Sequence, residues 1–146
     1  MRAIAAMLAM AMCLFSVQAK ADGPSLVGSW YGEGQPNDKG AVWLAQLSQN
    51  GTFKAFFRTC AGQRPVIGVM DGRWKVTGSL MEIFVQQWNG EPRNYRDGYR
   101  ILANTGKILR YKFTEPGNGP SPSVGYVFNS SRVPDSFKIP GCDIVS

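Results

Sequence analysis

Histidine is absent from the sequence, and that omission removes most familiar schemes of nucleophilic catalysis. Ser-His-Asp and Cys-His pairs need an imidazole to take the nucleophile's proton, and the commonest metal ligand goes with it. The cysteines are Cys13, Cys60 and Cys142. Cys13 lies in an N-terminal apolar run, preceded by Met12 and followed by Leu14-Phe15, a poor context for lipid attachment. Cys60 and Cys142 lack a C-x-x-C spacing, so they read as a structural disulfide rather than a redox couple. With both sulfurs bridged, no ligand set for zinc is left, and neither metal nor cofactor is expected. The carboxylates Glu33, Asp38, Asp71, Glu82, Glu91 and Asp97 are scattered. They read as solvated surface groups rather than an acid–base pair, so the chain is not expected to be an enzyme.

Aromatic residues are the remaining chemistry. In Thr52–Cys60, Phe53, Ala55 and Phe57 alternate with Lys54 and Arg58, and Phe56 joins the basic side. Trp74 and Val76 alternate with Arg73 and Lys75. Leu109, Tyr111 and Phe113 alternate with Arg110 and Lys112. A period of two means one buried face and one wet face. Trp43, Phe53, Phe57 and Trp74 are therefore placed inside, together with Tyr95, Tyr99, Tyr111 and Phe113. These eight are the candidate ligand-lining residues of an apolar cavity, although the same rings could fill a small barrel solidly. Arg96 and Arg100 fall opposite Tyr95 and Tyr99, as a solvated stripe. Arg93 shares the tyrosine face; at a cavity mouth it would favour an anionic amphiphile.

These faces require strands to hold them. Segments rich in β-formers run Leu26–Gly34, Ala41–Gln49, Thr52–Cys60, Val66–Val76, Leu80–Trp88, Arg93–Ala103, Ile108–Glu115 and Val124–Val133. Turn signals separate them, led by Asn50-Gly51 and Asn89-Gly90. No segment keeps a period near 3.6 over a helical length, and a single turn near Pro134–Phe137 is the most helix expected. Short turns make sequence neighbours antiparallel neighbours. The fold class is thus all-β, an antiparallel eight-stranded up-and-down barrel that leaves no open edge, with an open sandwich as the alternative. An outer-membrane barrel would need Lys54, Arg58, Arg73, Lys75, Arg110 and Lys112 in a lumen too narrow to solvate them.

Residues 1–21 have the three parts of a secretory signal: Arg2, an apolar run from Ala3 to Val17, and an A-x-A site. Cleavage is expected after Ala21, with Ala19 as the alternative. The run is too short to span a bilayer as a helix, so no membrane span is expected in the mature form. Residues 22–146 are then a single domain with a C-terminal tail, periplasmic or secreted. Removing Arg2 and Lys20 lowers the net charge from +6 to +4. The remaining basic residues form no block, and no nucleic-acid partner is expected.

Gly28-Ser29-Trp30 at the head of the first strand, followed by an eight-strand meander, resembles the lipocalins and the wider calycin group. Asp97-Gly98-Tyr99 is loosely similar to that group's second motif. The resemblance implies that Trp30 packs across the closed end of the barrel and that Arg132 stacks on it, with Gly28 completing the structural set. Gly51-Thr52-Phe53, Gly72-Arg73-Trp74 and Gly125-Tyr126-Val127-Phe128 extend the resemblance to small exported bacterial proteins of an uncharacterised lipocalin-like family. It implies a non-enzymatic barrel that binds a small apolar or amphiphilic molecule. The alternative is a protein-interaction module with a filled barrel, such as an inhibitor or envelope-associated factor, for which an exposed Phe56 is the hint.

Overall fold

A computed structural model describes residues 23–116 and 124–142. The expected signal peptide, its cleavage site and Cys13 lie outside the described residues. Eight strands follow one another: β1 (Gly28–Gln35), β2 (Asp38–Leu47), β3 (Thr52–Ala61), β4 (Arg64–Thr77), β5 (Leu80–Trp88), β6 (Glu91–Asn104), β7 (Ile108–Glu115) and β8 (Val127–Val133). Each pairs antiparallel with the next, and β8 pairs with β1. The sheet is therefore a closed up-and-down barrel, as the strand count and short turns predict, and not an open sandwich. This architecture is compatible with a lipocalin-like fold. No helix among the described residues is long and apolar enough to cross a membrane.

The strands run further than β-propensity suggests at one end. β2 begins at Asp38 rather than Ala41, β4 at Arg64 rather than Val66, and β6 at Glu91 rather than Arg93. The cause is the tightness of the turns. Asn89 and Gly90, with φ of 52° and 81°, make the two-residue turn whose twist suits a hairpin. The ladder then continues into Glu91 and Pro92. At the C-terminus, Phe137 N–H donates to Pro134 O at 2.9 Å, a single turn and no helix.

Alternation fills the interior. Trp30, Val85, Leu109 and Phe113 are the most deeply buried side chains. One end of the barrel is closed by the segment leading into β1. There the Arg132 guanidinium lies 4.4 Å from the Trp30 ring centroid. It also donates to the backbone oxygens of Gly106, Val27 and Ser25, while Trp30 Nε1 donates to Leu26 O at 2.8 Å. A Cβ on Gly28 would stand 2.4 Å from Arg132 Nη1, and Gly28 has φ of +131°. The glycine of the G-x-W signature is thus the space that the arginine occupies.

The outer face is less wet than alternation suggests. The tail after β8 returns along the outside of β1, β2 and β3 and ends in the Cys60–Cys142 disulfide, with 5.9 Å between Cα atoms. Phe137 packs on Tyr31, ring centroids 4.9 Å apart. Tyr31, Leu44 and Phe56 form one cross-strand row, and Phe56 is only partly exposed. Arg58, read from the sequence as solvated, is buried. Its Nη1 donates to Gly141 O at 3.0 Å and lies 2.8 Å from Cys60 Sγ. The sequence does carry a signal for this cover: β2 reads Ala-Val-Trp-Leu-Ala, apolar on both faces, and Val42 and Leu44 are buried along with Trp43.

Two carboxylates also depart from the solvated reading. Glu82 and Asp97 are both buried, 8% and 4% exposed. Glu82 faces outward, where Arg96 at 2.6 Å and Lys75 at 3.0 Å enclose it. The Arg96 and Lys75 hydrogen bonds hold it below the ordinary glutamate range. Asp97 faces inward.

Candidate ligand cavity

The barrel encloses a cavity of about 660 Å³, within the roughly 300–1,000 Å³ of small-molecule sites. It exists because small side chains oppose one another. Ala45 on β2 pairs with Ala55 on β3, and both line the cavity. On β1, Gly32 pairs with Trp43. A Cβ on Gly32 would meet the indole at 2.2 Å, so the glycine lets Trp43 lie flat against the wall.

An aromatic block forms one side. Tyr111 stacks on Phe128 with centroids 5.3 Å apart, and Tyr99 meets Tyr111 edge-on at 5.5 Å. Trp43 meets Tyr111 and Phe128 edge-on at 6.1 and 6.3 Å. Leu47, Phe53, Met70, Met81 and Ile83 complete the apolar lining from the neighbouring strands. The mouth lies between three hairpins, lined by Gln35–Asp38, Val66–Gly68 and Trp88–Asn89. Val66 and Ile67 are both lining and exposed, so the cavity opens to solvent there. Trp88 stacks on Phe57 at 5.7 Å beside this opening.

Five of the eight expected residues, Trp43, Phe53, Phe57, Tyr99 and Tyr111, stand in the lining. Trp74, Tyr95 and Phe113 stand outside it. Phe113 is fully buried behind Tyr99, 5.3 Å between centroids. Trp74 sits at the closed end, where its Nε1 donates to Ser48 O at 3.0 Å. Tyr95 is buried, and its hydroxyl has no hydrogen-bond partner among the described residues. Sequence reasoning missed Trp88, Phe128 and Asp97. Asp97 had a legible signal, since it shares the parity of Tyr95 and Tyr99. Trp88 had none, because it flanks a turn where alternation stops.

The interior electrostatics differ from the expectation built on Arg93. Arg93 lies outside the lining and pairs with Glu91 at 3.0 Å. Asp38 at the mouth and Asp97 in the wall are the charged groups among the described lining residues. The Asp38 carboxylate accepts the Gly40 N–H at 2.9 Å. Burial, and then the charge of Asp97, push the Tyr99 hydroxyl well up; Tyr95 is raised by the same two causes. Burial likewise pushes Tyr111 well above the ordinary tyrosine value. Trp43 Nε1 is a buried donor with no acceptor among the described residues. No group of three or more His, Cys, Asp or Glu able to hold a metal ion occurs among the described residues.

No family model matches the chain, and no curated protein matches it.

Proposed function

We propose that this chain is an exported, non-enzymatic, lipocalin-like carrier that binds a small apolar or amphiphilic molecule inside the barrel. The observation that carries the reading is the cavity itself: about 660 Å³, lined by aromatic and aliphatic side chains and open at one end. A void of that size in a closed apolar core forfeits packing, so a cavity kept open there favours an occupant. The alternative is an interaction module with a filled barrel, and the cavity speaks for the carrier over it. The barrel is hollow, and Phe56 is partly exposed on the outer face, in a row that the tail meets at Tyr31. The disulfide favours an oxidising compartment. With the signal-like residues 1–21, this points to the periplasm or the medium.

Binding of N-phenyl-1-naphthylamine, a neutral fluorophore that brightens in apolar surroundings, tests the proposal. The protein should bind the probe in a saturable, competable way. Ala55→Trp, which fills the cavity from β3, should abolish binding while the β circular-dichroism spectrum persists. Ala45→Phe provides a second filling variant. Wild-type protein that takes up neither this probe nor any of a panel of fatty alcohols would overturn the carrier reading.

A further inference from the structure

We infer that the Cys60–Cys142 disulfide is a site of thiol–disulfide exchange with a dithiol reductant, and that Arg58 is the charge that receives the leaving thiolate. Cys60 is exposed near the end of β3 and Cys142 is partly exposed, so a thiol has access to the bond. Beside it lies Arg58, 7% exposed. Its Nη1 stands 2.8 Å from Cys60 Sγ and 3.6 Å from Cys142 Sγ. The guanidinium also donates to the carbonyl oxygens of Gly141 and Gly40, and its Nε finds no acceptor among the described residues. Carbonyl acceptors are neutral and do not cancel its charge. Glu33 shares its outer row but is separated from it by Val42, and accepts from the Tyr31 hydroxyl. A bridged sulfur is neutral, whereas a released one is a thiolate. A cation at this distance therefore favours the broken bond over the intact one.

The better-stabilised thiolate leaves faster, which sets the direction of attack. The reductant's thiolate attacks Cys142 Sγ and forms a bond to it. The S–S bond breaks, and its electron pair goes to Cys60 Sγ, the sulfur nearer Arg58. The reductant's second thiol then gives up its proton and attacks its own sulfur in the mixed disulfide. Cys142 leaves and takes up that proton. The dithiol ends as a disulfide, and two electrons have passed to Cys60, now a thiolate, and Cys142, now a thiol. The end of the tail at Gly141–Cys142 is then no longer covalently tied to β3. The cavity takes no part in these steps, so the inference is independent of the carrier reading.

Reduction of the oxidised protein by dithiothreitol at neutral pH, followed by trapping of free thiols with a maleimide, measures the rate. Arg58→Met should slow reduction about threefold to tenfold, and Arg58→Lys should keep most of the wild-type rate. The sign is diagnostic. Arg58 also holds Gly141, so an arginine that only fastens the tail would, once removed, loosen the bond and speed its reduction. A brief reaction with glutathione, quenched by alkylation and mapped by peptide mass spectrometry, reads the direction of attack. Glutathione on Cys142 with alkylated Cys60 should exceed the reverse pattern by about threefold or more. Exposure alone favours the reverse, because Cys60 is the more exposed cysteine. Should Arg58→Met fail to fold, the wild-type map and Arg58→Lys decide. Equal or reversed adducts, or reduction of Arg58→Met as fast as wild type or faster, would overturn the inference.

Discussion

Replacing Gly28 by alanine would place a methyl carbon where the guanidinium of Arg132 now lies, 2.4 Å from Nη1. Two costs follow. An alanine held at φ of +131° carries backbone strain of about 1–3 kcal/mol. The displaced guanidinium loses its hydrogen bond to Val27 O, about 1.5–3 kcal/mol for a charged donor. Gly28→Ala should therefore destabilise the barrel by about 3–5 kcal/mol. Arg132→Met removes that same hydrogen bond, those to Gly106 O and Ser25 O, and the stacking on Trp30, a loss of at least about 3–4 kcal/mol. The double variant should not show the sum. Once the arginine is gone, the methyl has space, and only the strain remains to be added. The shortfall from additivity should be about 1.5–3 kcal/mol. Urea unfolding followed by tryptophan fluorescence measures all four corners of the cycle, with an unchanged m-value as the control for a two-state comparison. Additivity within about 0.5 kcal/mol would refute the argument, because Gly28 would then be needed for its backbone conformation alone.

Reduction, or the paired change Cys60→Ser and Cys142→Ser, opens a loop of sequence separation 82. The chain-entropy model gives a loss of about 4.5 kcal/mol, read as a lowered urea midpoint; a shift of less than about 1 kcal/mol would mean that the tail adds little to the fold. At high pH, the Tyr31 hydroxyl, pushed up to about 12 by burial and then by its hydrogen bond to Glu33, should ionise late in a titration followed by tyrosinate absorbance. Tyr99 and Tyr111, pushed further by burial, should ionise only as the barrel opens. Because these raised values belong to the folded state, their contribution is complete below the ordinary tyrosine value and is lost as pH climbs above it. Glu82 works in the opposite direction. Held low in the fold by Arg96 and then Lys75, it contributes at neutral pH and loses that contribution as pH falls through the carboxylate range. Glu82→Gln should flatten the acid limb of a plot of Tm against pH; an unaltered limb would argue against the pairing.

Much of the barrel is legible in sequence because period-two alternation and turn residues are local signals. Phe53 and Phe57, like Tyr111 and Phe113, declare their face through the charged residues between them. What alternation cannot report is volume. The cavity depends on Ala45 meeting Ala55 across β2 and β3 and on Gly32 yielding to Trp43, and both are facts of register between strands. The same limit explains why Phe113 and Trp74 face correctly yet stand away from the void. Arg58 departs from the solvated reading for a different reason. Alternation divides a strand into two faces but does not say whether another segment will cover the outer one. Here the tail does, and only Cys142, paired across the chain, hinted at where it would land.

That tail gives the seam of the barrel a mechanical character. β1 and β8 meet over only four residue pairs, Ser29–Gly32 against Val133–Ser130, the natural place for such a cylinder to unzip. The tail leaves β8 at the closed end, crosses over β1 and β2, and is bonded to β3 near the mouth. It therefore acts as a buckle across the seam. Amide hydrogens of the β1–β8 ladder, which would otherwise be the first of the sheet to exchange, should gain protection from a covalent bond that none of their own residues makes. Oxidation thus holds the cylinder shut from outside, leaving the interior free to remain hollow.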